Sequence, residues 1–594
     1  MTRATVPARR RRTPAFAASL AGALCALLAA CASIPTAGPV TRGDVELNDS
    51  NPLFLQVYGP SDGATPEQIV RGFLSAQAGG ANEGYETARM FLTGQGRLDW
   101  DPYVEAAVYS GDLGLTVASA EAADIPDGAD AEATDAPAVD LATASEVVLT
   151  GAASLVATVD EQGRYTEAAS AHVRDVAFSL RRDATGQWRI DAVADGLLVS
   201  QPNFQSVFRA TPVYFATPDG TTLVPDLRWF PQRNIATYAV RALLAGPSAW
   251  LRDAVVSGAP AGTSLAVEAV TVDSAGTAKV DLAGPALSTT PAQRALLLAQ
   301  MEATLRGAGA STVDLTAAGA ALTVADPVQL VRDPDPGNAV GVQGGALVRL
   351  DGRALVPVAD ASAVAADVTA LATDGSGTVV ARDGRERLVR LTPAPAELVA
   401  GADLASPSID VHGWVWTADA GSPGRMVAVG TRTGARVDVV ADWAVDEVVA
   451  VRLSRDGARA VVLSRGADGT RLDVAGVVRD ADGTPQMLSA PVQVGASVPG
   501  VSDVTWVDEL TLAVIGEGTA GGAPVPTAPL VSLVPLGARS EVLSPVDGAQ
   551  ALTAGRGSRA LWVRTSAGDL LTRSATGTNW SLVAPDVQAF AFAG

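Results

Sequence analysis

The spacing of apolar residues changes several times along this chain, and each change predicts a different element. An unbroken apolar run spans residues 15–30, and an aperiodic stretch with prolines follows to about residue 50. Thr65-Pro66-Glu67-Gln68 then marks a helix start, because threonine caps, proline suits the first turn and glutamine reaches back to the cap. Ile69, Val70, Phe73 and Leu74 fall on one face of that helix, and a second helix is predicted near 85–92. Beyond Trp100 the period drops to two. Strands are predicted at 103–109, 146–159, 164–180 and 187–193, with Asp183 to Gly186 as a hairpin turn. Helices followed by a meander predict an α+β cone over residues 51–205, carrying an Ala/Asp/Pro-rich surface insert at 120–140.

A second α+β segment is predicted over residues 206–332. It opens with a hairpin across Asp219-Gly220, then a helix over 234–245 that stops at Gly246-Pro247. Strands at 266–272 and 278–282 follow, then a helix from Thr290-Pro291-Ala292-Gln293 that ends before Gly307, and a returning strand at 313–315. Asp333 to Asn338, with two prolines, reads as a linker rather than a calcium loop. From residue 339 to 594 short apolar strands recur. Leu371, Ile409, Leu453, Trp506, Leu552 and Phe590 lie 38 to 53 residues apart, the size of a propeller blade. Asp586 to Gly594 echoes Asp367 to Gly375, so the C-terminal strand is expected to complete a blade begun near residues 339–358. The prediction is an all-β propeller of six blades, with a Gly/Pro-rich insert at 516–529.

The apolar run takes its meaning from its flanks. Arg3 and Arg9 to Arg12 precede it, and it is too short to span a bilayer comfortably, so residues 1–30 read as a secretory signal. It closes on Leu28-Ala29-Ala30-Cys31, which resembles a bacterial lipobox. Leu28, Ala29 and Ala30 would fit the signal peptidase. Cys31 would become the first residue, alkylated by diacylglycerol on sulfur and acylated on nitrogen. Two or three acyl chains, at about 0.8 kcal/mol per buried CH2, hold a protein on a membrane where one binds only marginally. Residues 31–50 then form a tether.

Composition narrows the chemistry. Across 594 residues the net charge is −21, so the long-range field repels polyanions and nucleic acid is not an expected partner. Loss of the leader removes five arginines and no acids, which leaves the rest more acidic still. Two cysteines and two histidines allow neither a disulfide framework nor a cysteine-rich zinc site, and no metal or cofactor is expected. His172, His412 and the turn residues Asp374 and Asp456 read as structural. No catalytic residue is assigned, since the chain carries no nucleophile elbow, zinc-protease helix or phosphate loop. A carboxylate pair drawn from different blades stays open, and with it a cell-wall glycan hydrolase or lyase.

Several stretches resemble known families. The N-terminal cone is similar to NTF2-like folds by analogy of element order alone. Leu243 to Pro247, Pro260 to Thr263, Val280-Asp281-Leu282 and Gln300 to Leu305 look like the GerMN module of germination and envelope proteins, which implies an envelope setting and a binding role. Lipobox, cone, GerMN module and propeller in this order resemble the actinobacterial LpqB lipoprotein family, with Ala64 to Leu74 and Leu244 to Leu251 as distinctive stretches. That resemblance implies a non-enzymatic accessory protein, lipid-anchored on the extracytoplasmic face of the cell membrane. It further implies contact with the extracytoplasmic domain of an MtrB-like sensor kinase of the MtrAB two-component system, in envelope homeostasis and cell division.

Overall fold

The computed structural model describes residues 57–80, 84–122, 141–169, 172–358, 364–365, 367–419, 422–520, 523–574 and 579–594. The leader, the tether and most of the insert at 120–140 lie outside the described residues. The described residues belong to one compact unit.

Helix α1 (Pro66–Gly79) starts as its capping sequence requires. Gln68 N–H donates to the Thr65 hydroxyl at 3.3 Å, and Thr65 N–H donates to the Gln68 side chain at 2.9 Å. Its apolar stripe of Ile69, Val70, Phe73 and Leu74 is buried. The second helix predicted at 85–92 is only the short α2 (Glu86–Arg89), and a further helix, α3 (Gly94–Asp99), follows beyond the predicted span. The break has a cause: Thr93 N–H turns away to bond the Ile190 carbonyl at 2.8 Å, and the Thr93 hydroxyl caps α3.

These helices cover a sheet centred on the 17-residue strand Ala144–Asp160. The strand predicted at 164–180 divides into Tyr165–Glu167 and Val173–Arg182, which both pair with that long strand. Sequence periodicity missed Thr116–Ala122 and Leu197–Ser200; the latter pairs in parallel with Glu105–Ser110. Helix α4 (Gln201–Val207) leads into the second segment.

There, Phe208–Ala216 and Leu223–Pro231 form a long hairpin, followed by α5 (Ile235–Ala245). Helix α6 (Pro291–Arg306), with its own capping box, crosses between the parallel strands Thr277–Ala283 and Thr312–Ala317. The strand predicted at 266–272 is only the fragments Ser264–Leu265 and Thr271–Val272.

The C-terminal region is all-β. In order, antiparallel meanders occupy 368–400, 408–441, 447–494, 503–542 and 549–584. A sixth sheet joins the strands Val340–Gln343, Ala346–Asp351 and Ala354–Pro357 to the C-terminal strand Val587–Ala591, with Val342 opposite Ala589. Pro485–Leu488 bridges two meanders by pairing with Arg436–Ala441. The Gly/Pro-rich insert is carried on a hairpin: Thr511–Ala520 and Ala523–Pro535 pair with each other, with Gly516 opposite Leu530.

Candidate functional site

The three folded segments meet at one junction, and the stretch Leu244 to Leu251 builds its centre. Gly246, at φ 93°, ends α5 in a conformation that glycine adopts readily. The chain then turns over a buried ion pair on Leu223–Pro231. Asp226 and Arg228, 1% and 3% exposed, are two residues apart and so share a face; their side chains meet at 2.7 Å. Ser248 gives its N–H and its hydroxyl to the Asp226 carboxylate, at 2.9 and 3.0 Å, and Arg228 donates to the Gly246 carbonyl at 3.0 Å. The charges are thereby hydrogen-bonded as burial demands, except that Arg228 Nε finds no partner.

This turn delivers Trp250 to the propeller. The Trp250 carbonyl accepts from Gly476 N–H at 3.2 Å and from the Ser489 hydroxyl. A Cβ on Gly476 would lie 2.8 Å from that carbonyl, so the approach requires glycine. Around the contact the apolar cores of the two segments are continuous: Leu243, Trp250 and Leu251 belong to the same cluster as Val474, Trp506 and Val534.

The N-terminal segment closes the junction. The Tyr165 ring lies 5.8 Å from Trp229, whose indole N–H donates to the Gly537 carbonyl at 2.6 Å. Glu167 acts as a clasp. One of its oxygens accepts from the Ser497 hydroxyl at 2.8 Å and Ser540 N–H at 2.9 Å, and the other accepts from the Ser540 hydroxyl at 2.8 Å. Between the segments lies a cavity of about 290 Å³, walled by Asp160, Arg164 and Tyr165 from the first, Trp250 from the second, and Val492 and Gln493 from the third. Burial pushes the Tyr165 phenol up to about 12, so it stays a neutral donor. Asp160 is already engaged by Arg164 at 2.6 Å and by two backbone N–H groups of its own turn.

A second attachment lies at the predicted linker, 333–338. Glu509 accepts from the Tyr214 hydroxyl at 2.7 Å and from Arg332 at 2.8 Å. Asp333 pairs with Arg556 at 2.8 Å and Arg455 at 3.6 Å. The connection is therefore pinned at its entry. Burial, with the Glu509 charge next, holds the Tyr214 phenol far above its usual range.

Of the residues singled out in the sequence, Leu28, Ala29, Ala30 and Cys31 lie outside the described residues. His172 is exposed, and its carbonyl accepts from Leu155 N–H. His412 sits in a turn where its N–H donates to Asp410 at 3.0 Å; burial, then Arg479, lowers its pKa. Asp374 accepts from three backbone N–H groups of its hairpin turn, and Asp456 forms a buried pair with Arg459. Among the described residues no group of three His, Cys, Asp or Glu side chains is placed to hold a metal ion, and no helix is long and apolar enough to cross a membrane. Sequence reasoning missed Asp226, Arg228, Trp250 and Glu167. The available signal was an Asp-x-Arg pair inside an otherwise apolar strand.

Comparison with known proteins matches each segment. Residues 59–205 match the model "Lipoprotein LpqB, N-terminal domain", 212–323 the model "Sporulation and spore germination", and 345–590 the model "Lipoprotein LpqB beta-propeller domain". The chain is similar to Lipoprotein LpqB of Bifidobacterium longum, at 28% identity over 85% of this chain and 86% of the relative. It is also similar to that of Streptomyces coelicolor, at 28% over 96% and 97%, and to that of Mycobacterium tuberculosis, at 29% over 74% and 77%. Among solved structures, TolB from Acinetobacter baumannii overlaps 43% of this chain and 66% of its own, at 13% identity and a TM-score of 0.33.

Proposed function

Since the chain belongs to the LpqB lipoprotein family, we propose that it is a non-enzymatic accessory protein, held on the extracytoplasmic face of the cell membrane by lipid on Cys31. Cleavage after Leu28-Ala29-Ala30 leaves Cys31 as the acylated first residue, and residues 31–50 tether the body. In this reading 51–205 is an NTF2-like cone, 206–332 a GerMN module, 333–338 a short connection and 339–594 a six-bladed propeller. Helices covering one side of the first sheet, and a C-terminal region of four four-stranded sheets and one nine-stranded sheet, with the region's first and last strands paired to each other, support it. The protein binds the extracytoplasmic domain of an MtrB-like sensor kinase and modulates it, because tethering both partners to one membrane raises their effective concentration.

What carries this reading is the lipobox cysteine at the head of a body whose second and third segments share a core. Such a body offers a fixed surface to a partner. The turn carboxylates Asp374, Asp410 and Asp456 are spent on backbone, indole and arginine partners, which favours binding over glycan cleavage. Two measurements test it. Cys31→Ser is expected to move the protein from the membrane to the soluble fraction and to abolish palmitate labelling. Crosslinking of the wild type in native membranes is expected to recover a sensor kinase; recovery of no envelope protein would sink the proposal.

A further inference from the structure

Among the described residues many arginines pair with a carboxylate, but Arg382, Arg452 and Arg564, on three propeller strands, have Asp503 as their common charged neighbour. Asp503 pairs with Arg452 at 3.3 Å and spends its other oxygen on Leu552 N–H at 2.7 Å. Arg382 and Arg564 have no carboxylate within ion-pair distance among the described residues. Arg382 donates to the Thr369 hydroxyl at 2.9 Å and the Leu404 carbonyl at 2.8 Å; Arg564 donates to the Gln550 side chain at 2.6 Å and the Thr565 carbonyl at 3.3 Å. Both guanidinium groups thus rest on exposed inner-strand side chains, Thr369 and Gln550.

Register puts the three at one level. Arg382 lies opposite Ala370 and Arg564 opposite Ala551, each on the second strand of its meander. Ala370, Arg452 and Ala551 each immediately precede the repeated leucine, Leu371, Leu453 or Leu552. Alanine on the inner strand leaves room for the second-strand arginine to reach over it; in the 447–494 meander the arginine stands on the inner strand itself. With the six sheets read as a ring, the arginines come from alternate blades, those at 368–400, 447–494 and 549–584. Arg382 feels the Arg452 charge, and Arg382 and Arg564 both feel Asp503. Burial, then Arg385 and Arg452, draws Arg382 down to about 10, and burial lowers Arg564. A half-buried cation without a counter-charge is costly, and in a chain of net charge −21 an excess of positive charge at one point is out of pattern.

We propose that the propeller's centre is an oxyanion site of the phosphate class, in which Arg382, Arg452 and Arg564 converge on one ligand from three sides. Guanidinium groups donate to phosphate oxygens in a planar fork, and three of them around one axis suit a tetrahedral anion better than a planar carboxylate. Asp503 is a positioning residue that fixes Arg452 and leaves the site with a net positive charge. The ligand is inorganic phosphate or the end group of a phosphomonoester.

The test uses the full-length lipidated chain in detergent micelles. Inorganic phosphate, titrated against chloride at matched ionic strength, is expected to give saturable one-to-one heat and to raise the melting temperature. Arg382→Gln and Arg564→Gln are each expected to weaken binding by about tenfold or more. Arg349→Gln, which removes an exposed arginine paired with Asp351, is expected to change nothing. Glycerol phosphate that competes with phosphate identifies a phosphomonoester end group; phosphate binding without such competition identifies the free ion, and both outcomes support the site. A wild type that neither binds phosphate nor melts higher in it overturns the proposal, whatever the folding of the variants. So does undiminished affinity in a folded variant that combines Arg382→Gln with Arg564→Gln.

Discussion

At the residue scale, the chemistry of this molecule is mostly the chemistry of attachment. Asp226 is not a candidate acid for catalysis. It is the buried anchor to which Ser248 and Arg228 tie the turn that carries Trp250. Removing one partner of such a pair leaves the other charge buried and unpaired. Asp226→Ala is therefore expected to destabilise the fold by about 3–5 kcal/mol, read as a lowered denaturant midpoint. A loss under about 1 kcal/mol would mean that the pair is solvated in solution. Single residues were the least legible part of the sequence. An Asp-x-Arg inside an apolar strand announces that both side chains face one way, yet not that Ser248, twenty residues on, will answer them. Glu167 gave no signal at all, because its partners Ser497 and Ser540 lie in another segment.

Elements were legible where a local rule governs them. Both Thr-Pro-x-Gln starts are capping boxes, because donor and acceptor lie three residues apart and need nothing else. Thr290→Ala is expected to cost about 1 kcal/mol through the freed Gln293 N–H, while Thr290→Ser costs far less; thermal melting of the two variants checks it. Errors fell where a distant strand took over the backbone. The helix predicted at 85–92 stops at Arg89 because Ile190 bonds Phe91 and Thr93, and Leu197–Ser200 became a strand because Glu105–Ser110 lay beside it. The Gly/Pro-rich insert at 516–529 gave no strand signal by composition, yet it is carried on a hairpin whose two arms pair with each other. Glycine and proline weaken a strand; they do not forbid a hairpin whose other strands are fixed.

For the whole molecule, the continuous core between the second segment and the propeller has a thermodynamic consequence. Trp250, Val474, Trp506 and Val534 belong to one cluster, so neither part can unfold without exposing the other. Calorimetry of the full chain is expected to show these two parts melting in a single transition. Trp250→Ala is expected to lower that transition by about 3–5 kcal/mol of stability. Two well-separated transitions from these parts would contradict a shared core. By itself the sequence determined what depends on neighbours along the chain: the caps, the helical stripe of α1, the turns, and the blade-sized repeat. Only the tertiary structure decided what depends on residues brought together from afar. It joined the C-terminal strand to Val340–Gln343, clasped Glu167 to the propeller, fused two cores and paired Arg452 with Asp503 of the next meander. Contacts across hundreds of residues leave no period in a linear pattern, because each partner meets only its own local constraints until the chain folds.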